Sequence, residues 1–210
     1  NKRLIKNELT QNYLNNKNKI EHFLIRFSKK LKNKKIYIIR FPIVLGDDDK
    51  TKRLNFFYRK ILDNKNILII KDKKVEINFV WVEDLSKALV LMLKKKNWGK
   101  SQIFETLNFK KISYIDFTKT LCKKIKKKNI NFIQVKKRYL RKNFYNFFLY
   151  DPFINEVNLK LTNNNLFKIT KLKPMPFDFF IKKIKINKSI DKSQKNKIAL
   201  ENNFINKKLL

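Results

Sequence analysis

Lys35-Ile-Tyr-Ile-Ile-Arg-Phe-Pro-Ile-Val-Leu-Gly46 is the stretch that decides the fold. Its first half is a near-continuous apolar run with β-branched residues. Such a run fits a strand buried on both faces of a parallel sheet, where hydrophobic and polar residues do not alternate. Pro42 and Gly46 are expected to end the strand in a loop. Upstream, Leu14, Ile20, Phe23, Leu24 and Phe27 recur at helical spacing and predict a helix over residues 10–30. Downstream, Leu54, Phe57, Tyr58, Ile61 and Leu62 predict a helix over 51–63.

The alternation continues along the chain. Ile67–Ile70 and Val75–Val82 read as strands, and Glu83-Asp84 opens a helix from Leu85 to Lys95. Two acids at that start suit the positive end of the helix dipole. Gln102–Leu107 reads as a short strand. Ser113 is a plausible N-cap for a helix from Tyr114 to Lys127, and Asn131–Lys136 reads as a further strand. Residues 139–150 are rich in aromatics, and Pro152, Pro174 and Pro176 break the segment 151–185. From Lys188 onward Lys, Asn, Ser and Asp dominate, which predicts a loose or weakly helical tail. Strands alternating with helices imply an α/β sheet with crossover connections.

Composition narrows the function classes. The 210 residues suffice for one sizeable domain, or one domain and a small lobe. Hydrophobic content of 43%, with 19 Phe, is too high for a disordered chain. The net charge is +35, from 52 Lys and Arg against 17 Asp and Glu. Two readings fit that charge. One is a polyanion partner, because Lys and Arg neutralise phosphates and release counterions. The other is an AT-rich genome that loads the chain with Lys, Asn, Ile and Phe. The lysines spread from end to end, which favours the second reading.

One cysteine, Cys122, excludes an internal disulfide and any multi-cysteine metal site; its apolar helical face predicts core. With a single histidine, His22, a zinc centre or a Ser-His-Asp arrangement is not expected. No stretch approaches the roughly 20 apolar residues of a membrane span. Only two glycines occur, Gly46 and Gly99, so no glycine-rich phosphate loop lies in this sequence. Asp47-Asp48-Asp49 reads as a solvated loop, since three adjacent acids point different ways. Trp81 and Trp98 read as packing residues.

The candidate chemistry is Tyr13 with Lys17. Residues four apart share a helix face. A tyrosine beside an ammonium can exchange a proton with a substrate hydroxyl or carbonyl, and the lysine can hydrogen-bond a ribose. The spacing alone says little where a quarter of the residues are basic.

The ordered series says more. Tyr13-Leu-Asn-Asn-Lys17-Asn-Lys-Ile-Glu21 precedes Arg40-Phe-Pro-Ile-Val-Leu-Gly46. Arg53-Leu-Asn-Phe-Phe follows, then Ile77-Asn-Phe-Val-Trp-Val-Glu-Asp-Leu85 and Ile103-Phe-Glu-Thr-Leu107. In this order the chain resembles the NAD-dependent epimerase/dehydratase family of the extended short-chain dehydrogenase/reductase superfamily, over roughly residues 8–135. The resemblance implies the C-terminal part of a Rossmann-type parallel sheet with a small α+β substrate lobe. The implied divisions are 1–107 for the dinucleotide-binding part, 108–187 for the lobe and 188–210 for a basic polar tail.

The resemblance also implies roles. Tyr13 takes the place of the catalytic tyrosine, and Lys17 that of the lysine on the nicotinamide ribose. Glu21 takes the place of a structural acid on the same helix. Pro42, Ile43 and Val44 fall on the loop whose backbone lies beside the nicotinamide. Arg53 falls on the helix leading into the substrate lobe, and Asp84 at a site that ties helix to loop. The implied cofactor is NAD or NADP. The expected partners are a nucleotide-sugar or other small-molecule substrate, RNA through the basic surface, and a second copy in a homodimer; no membrane is expected. The implied compartment is the cytoplasm, or the plastid stroma in a host that has one.

Two family features are missing: the glycine-rich pyrophosphate loop and a catalytic Ser or Thr upstream of the tyrosine. Thr10 lies too close to serve. The chain also begins with Asn. The expectation is a C-terminal portion of a longer or split protein, inactive by itself, with a degenerate remnant as the other reading. A protein that keeps the fold and binds RNA, or serves only as a scaffold, is the alternative function. Phe144, Tyr145, Phe147, Phe148 and Tyr150 beside Arg138, Arg141 and Lys142 could stack and pair with RNA, although lobe packing explains them as well.

Overall fold

The computed structural model describes residues 2–31, 34–47, 49, 51–70, 76–95, 102–106, 112–127, 130–136, 165–185 and 192–209. The expected aromatic RNA surface at 138–150, Trp98, Gly99 and Asp48 lie outside these residues, as do the expected divisions at 107/108 and 187/188.

The elements follow one another as helix α1 (Lys2–Ser28), strands β1 (Tyr37–Arg40) and β2 (Ile43–Leu45), helix α2 (Arg53–Leu62) and strands β3 (Ile67–Ile70), β4 (Glu76–Ile77) and β5 (Phe79–Trp81). Helix α3 (Val82–Lys94), strands β6 (Gln102–Glu105) and β7 (Ile112–Ser113), helix α4 (Tyr114–Ile125) and strand β8 (Phe132–Val135) come next. Helices α5 (Asn165–Thr170), α6 (Phe177–Lys183) and α7 (Lys192–Leu209) complete the described order. The class is α/β with parallel pairing: β1 with β6, β2 with β5 and β3 with β8, while β4 and β7 run antiparallel.

The opening stretch holds one correction. Its expected loop after Pro42 is a second strand, and Ile43, Val44 and Leu45 lie in register with Phe79, Val80 and Trp81. Proline carries no N–H and forces the residue before it to stay extended. Pro42 therefore interrupts the ladder without turning the chain away. Before it the strand pairs with β6; after it the chain changes partner to β5.

The β2/β5 pair separates two hydrophobic clusters. Leu45, Phe79 and Trp81 pack, with Ile43, into one; Val80 packs, with Val44, into the other. Side chains alternate across a strand, so both faces of this pair are apolar and the sequence shows no polar alternation. The first cluster joins α2, β3, α4, α6 and α7 through Phe57, Ile67, Phe117, Phe180, Ile198 and Ile205. The second joins β1, β6, α3 and α5 through Ile39, Phe104, Leu85, Ala88, Met92 and Phe167. Leu85, Ala88 and Met92 sit at i, i+3 and i+7, one face of α3.

Several boundaries shift by a few residues. Helix α3 starts at Val82, so Glu83 and Asp84 lie within its first turn rather than before it. Ser113 caps α4 as expected, its hydroxyl accepting from the Asp116 N–H at 3.1 Å. Cys122 and Trp81 are buried as expected. The tail, expected to be loose or weakly helical, is over Lys192–Leu209 a helix that buries Ile198, Glu201 and Ile205. Its polar composition hid three inward positions at i, i+3 and i+7.

Helix α1 brings the larger surprise. Ile20, Phe23 and Phe27 of the expected apolar stripe are exposed, and the Phe23 and Phe27 rings stack on each other at 5.8 Å. An apolar stripe records that a surface is hydrophobic; it does not record what lies against it.

Candidate active site

Tyr13 and Lys17 come together as their spacing requires. The Lys17 ammonium lies over the Tyr13 ring, 4.9 Å from its centroid. Both side chains are exposed, Tyr13 at 58%.

The next residue on the same stripe is Glu21, and it is anchored. Arg40 donates from Nε to both Glu21 carboxylate oxygens, at 3.2 and 3.0 Å. Its Nη1 donates to Glu105 Oε1 at 3.2 Å. Arg40 and Glu105 are register partners at the carboxyl ends of β1 and β6. The two carboxylates raise the Arg40 pKa above its usual value, the hydrogen bond to Glu21 being the largest cause. The guanidinium thus ties helix α1 to both strands with charge-assisted bonds.

This anchor fixes where Tyr13 stands. From Glu21 to the end of α1 at Ser28 is roughly 10 Å of helix, and β1 spans roughly 10 Å from Tyr37 to Arg40. Glu21 thus meets the carboxyl end of β1. Tyr13 lies ~12 Å N-terminal to Glu21 along the helix, with Lys17 midway. Arg40 therefore ties the helix that carries both residues to the carboxyl ends of β1 and β6, the ends at which open α/β sheets bind their ligands.

The other expected site residues are distributed as follows. Pro42 is buried and begins the stretch that leaves the Arg40 end of β1. Ile43 and Val44 are partly buried in β2 and pack into opposite clusters. Gly46 is buried against α3, and a Cβ there would stand 2.5 Å from Val82 Cγ1. No residue but glycine fits that approach without movement. Arg53 turns to Asp49, with Nη1 3.4 Å from Oδ1, and its described bonds do not reach the tyrosine–lysine pair. Asp49 also accepts from the Thr51 N–H at 2.9 Å and the Arg53 N–H at 3.3 Å, so this acid organises the entry to α2. Asp47 accepts from the Lys185 N–H at 3.0 Å.

Asp84 does tie helix to loop. It is buried, and Oδ2 accepts from the Met175 N–H at 2.6 Å. Burial raises its pKa above the usual carboxylate value, partly offset by that N–H. Two features had no sequence signal of their own. Glu105 completes the ion triad, and only the register of β1 with β6 reveals it. Asn165, on α5, accepts from the Glu105 N–H at 2.6 Å and donates to Ile103 O at 3.4 Å, bracing the same strand end.

As a donor set, a phenol hydroxyl and an ammonium on one exposed helix face suit a nicotinamide ribose and a substrate hydroxyl. With two glycines the chain supplies no glycine-rich backbone cradle for a pyrophosphate. Among the described residues no group of three His, Cys, Asp or Glu could hold a metal ion, and no helix is long and apolar enough to cross a membrane.

Residues 6–106 match the sequence profile of the NAD dependent epimerase/dehydratase family. A UDP-galactose 4-epimerase structure matches with a TM-score of 0.51 at 15% identity, over 78% of this chain and 48% of its own. RMD from Pseudomonas aeruginosa, complexed with NADPH, gives 0.52 at 11% identity, over 77% and 50%. UDP-glucuronic acid 4-epimerase from Bacillus cereus, in complex with NAD, gives 0.41 at 21% identity, over 48% and 34%. The chain thus spans about a third to a half of the length of these structures. A search of curated proteins gave no match. The first two likenesses show a fold shared with Rossmann-type epimerases and reductases. The match to the NAD-dependent epimerase/dehydratase family covers residues 6–106, with Tyr13, Lys17 and the Arg40 anchor inside them.

Proposed function

We propose that this chain provides the catalytic helix and the nicotinamide side of an NAD(P)-dependent oxidoreductase of the epimerase/dehydratase type, acting on a nucleotide-sugar-type substrate. The observation that supports this reading is that Tyr13 and Lys17 share one face of α1, the helix that Glu21 and Arg40 tie to the carboxyl ends of β1 and β6.

Tyr13 accepts the proton of a substrate hydroxyl as that carbon is oxidised, and returns it on reduction. Lys17 donates to the ribose hydroxyls and fixes the cofactor's distance from the tyrosine. Pro42, Ile43 and Val44 flank the nicotinamide, and the β2/β5 pairing holds their backbone still. Arg53, at the start of α2, exchanges its Asp49 partner for the substrate's charged part. Residues 108–187 form the substrate lobe, and 1–107 the cofactor side. The nicotinamide, when bound, supplies the hydride acceptor and donor.

The test is ligand-dependent thermal unfolding of this chain. NAD(H) or NADP(H) at millimolar concentration raises its unfolding temperature, and Lys17→Met removes the shift. In the complete protein, Tyr13→Phe removes turnover while leaving the binding shift. RNA binding with a steep salt slope, with nicotinamide nucleotides inert, refutes the enzyme reading.

A further inference from the structure

The Glu21–Arg40–Glu105 triad does more than join elements. We infer that Arg40 is the positioning residue for the tyrosine–lysine pair, acting through Glu21; this rests on the role proposed for Tyr13 and Lys17.

Three observations carry it. First, Tyr13, Lys17 and Glu21 are four residues apart in succession, so they share one helix stripe and any rotation of α1 moves all three. Second, Ile20, Phe23 and Phe27 of α1 are exposed. Among the described side chains of α1, Leu24 and Ile25 are partly buried but these three are not, so over this stretch a polar anchor takes a larger share in fixing orientation. Third, the anchor is directional. A guanidinium fork gripping both oxygens of Glu21 defines an angle, which a lysine ammonium at the same place would not.

The strand side of the clamp is rigid. Glu105 receives Nη1 of Arg40, and the Glu105 N–H is held by Asn165 of α5. The Thr106 N–H donates to Arg40 O at 3.0 Å, continuing the β1–β6 ladder past its last pair. Any error at Arg40 is carried to Tyr13 along two turns of helix. Removing the guanidinium also sets two partly buried carboxylates, Glu21 and Glu105, against each other. Arg40→Met converts an attraction into a repulsion, and α1 then lifts from the strand ends.

Amide hydrogen exchange of the free chain, with nicotinamide mononucleotide as a probe, tests this. In Arg40→Met, exchange of the α1 amides from Asn15 to Arg26 rises about tenfold or more, the loss expected for a charged hydrogen-bond anchor. The amides of Ile67–Ile70 stay at the wild-type rate. Arg40→Lys gives an intermediate rate, and Glu21→Gln/Arg40→Met/Glu105→Gln recovers part of the loss because the repulsion is gone. Saturation transfer to the mononucleotide falls in Arg40→Met and is restored in part by Arg40→Lys. An unchanged α1 exchange rate in Arg40→Met, or an equal rise in Ile67–Ile70, overturns the inference. So does raised α1 exchange with undiminished mononucleotide contact. If the wild-type chain ignores the mononucleotide while α1 exchange responds as described, the proposed function falls and the clamp stands.

Discussion

Replacing Glu201 by leucine should cost this chain about 3–5 kcal/mol, a large share of the 5–15 kcal/mol typical of a folded domain. Lys60, on α2, is 0% exposed, and Glu201, on α7, is 1% exposed. Their charged ends pair directly, and the Lys60 ammonium also lies 5.5 Å from the centre of the Phe56 ring. Glu201→Leu leaves an ammonium with no counter-charge in a hydrophobic cluster. The pair itself has no such value. Glu201 Oε2 is buried without a hydrogen-bond partner, and apolar replacement of both members of a buried ion pair is often neutral or stabilising by ~1–4 kcal/mol. Urea unfolding of wild type, Glu201→Leu, Lys60→Met and Lys60→Met/Glu201→Leu measures all of this. A single-variant loss below ~1 kcal/mol refutes the reasoning, because it means that water reaches the pair. A double variant as unstable as Glu201→Leu refutes it too.

Gly46→Ala should destabilise the chain by about 1–3 kcal/mol, since the added methyl meets the stiff β-branched Val82; Val82→Ala, read by the same unfolding assay, should recover most of the loss. Burial pushes the Cys122 thiol up to about 11 from an ordinary value of 9.0. The folded thiol keeps its proton while the unfolded one ionises, so stability is lost as pH rises from about 9 to about 11, by at most ~2–3 kcal/mol. Cys122→Ala should lose less stability over that range, and alkylation of the native thiol near pH 8 should proceed only through unfolding. Burial holds Asp84 above the usual carboxylate pKa, so its contribution to stability falls as pH rises through its titration. Asp84→Asn keeps an acceptor for Met175 and should flatten that acid limb, whereas Asp84→Leu should cost about 1–3 kcal/mol by orphaning the Met175 N–H.

The sequence carried the α/β class because its strands are buried on both faces. Ile43-Val-Leu45 and Phe79-Val-Trp81 show no alternation, and the structure gives the reason: each faces two hydrophobic clusters. The change of strand partner at Pro42 was not legible, since a proline after an apolar run reads equally as a turn. The tail read as loose or weakly helical because its described inward residues, Ile198, Glu201 and Ile205, stand in a polar sequence and leave a weak periodicity. On the candidate site, the Tyr13–Lys17 contact follows from spacing alone. Arg40 with Glu21 and Glu105 does not, because those partners are 19 and 65 residues away and meet only through the β1–β6 register. Nor could any periodicity show that Ile20 and Phe23 stay exposed.

The central claim is that Tyr13 and Lys17 form the nicotinamide end of a dinucleotide site. Saturation-transfer NMR of this chain with NAD tests it most directly. The account predicts strong transfer to the nicotinamide and adjacent ribose protons and weak transfer to the adenine protons, with Lys17→Met abolishing the first. Equal transfer to both ends of the dinucleotide, or a nicotinamide signal that survives Lys17→Met, contradicts it.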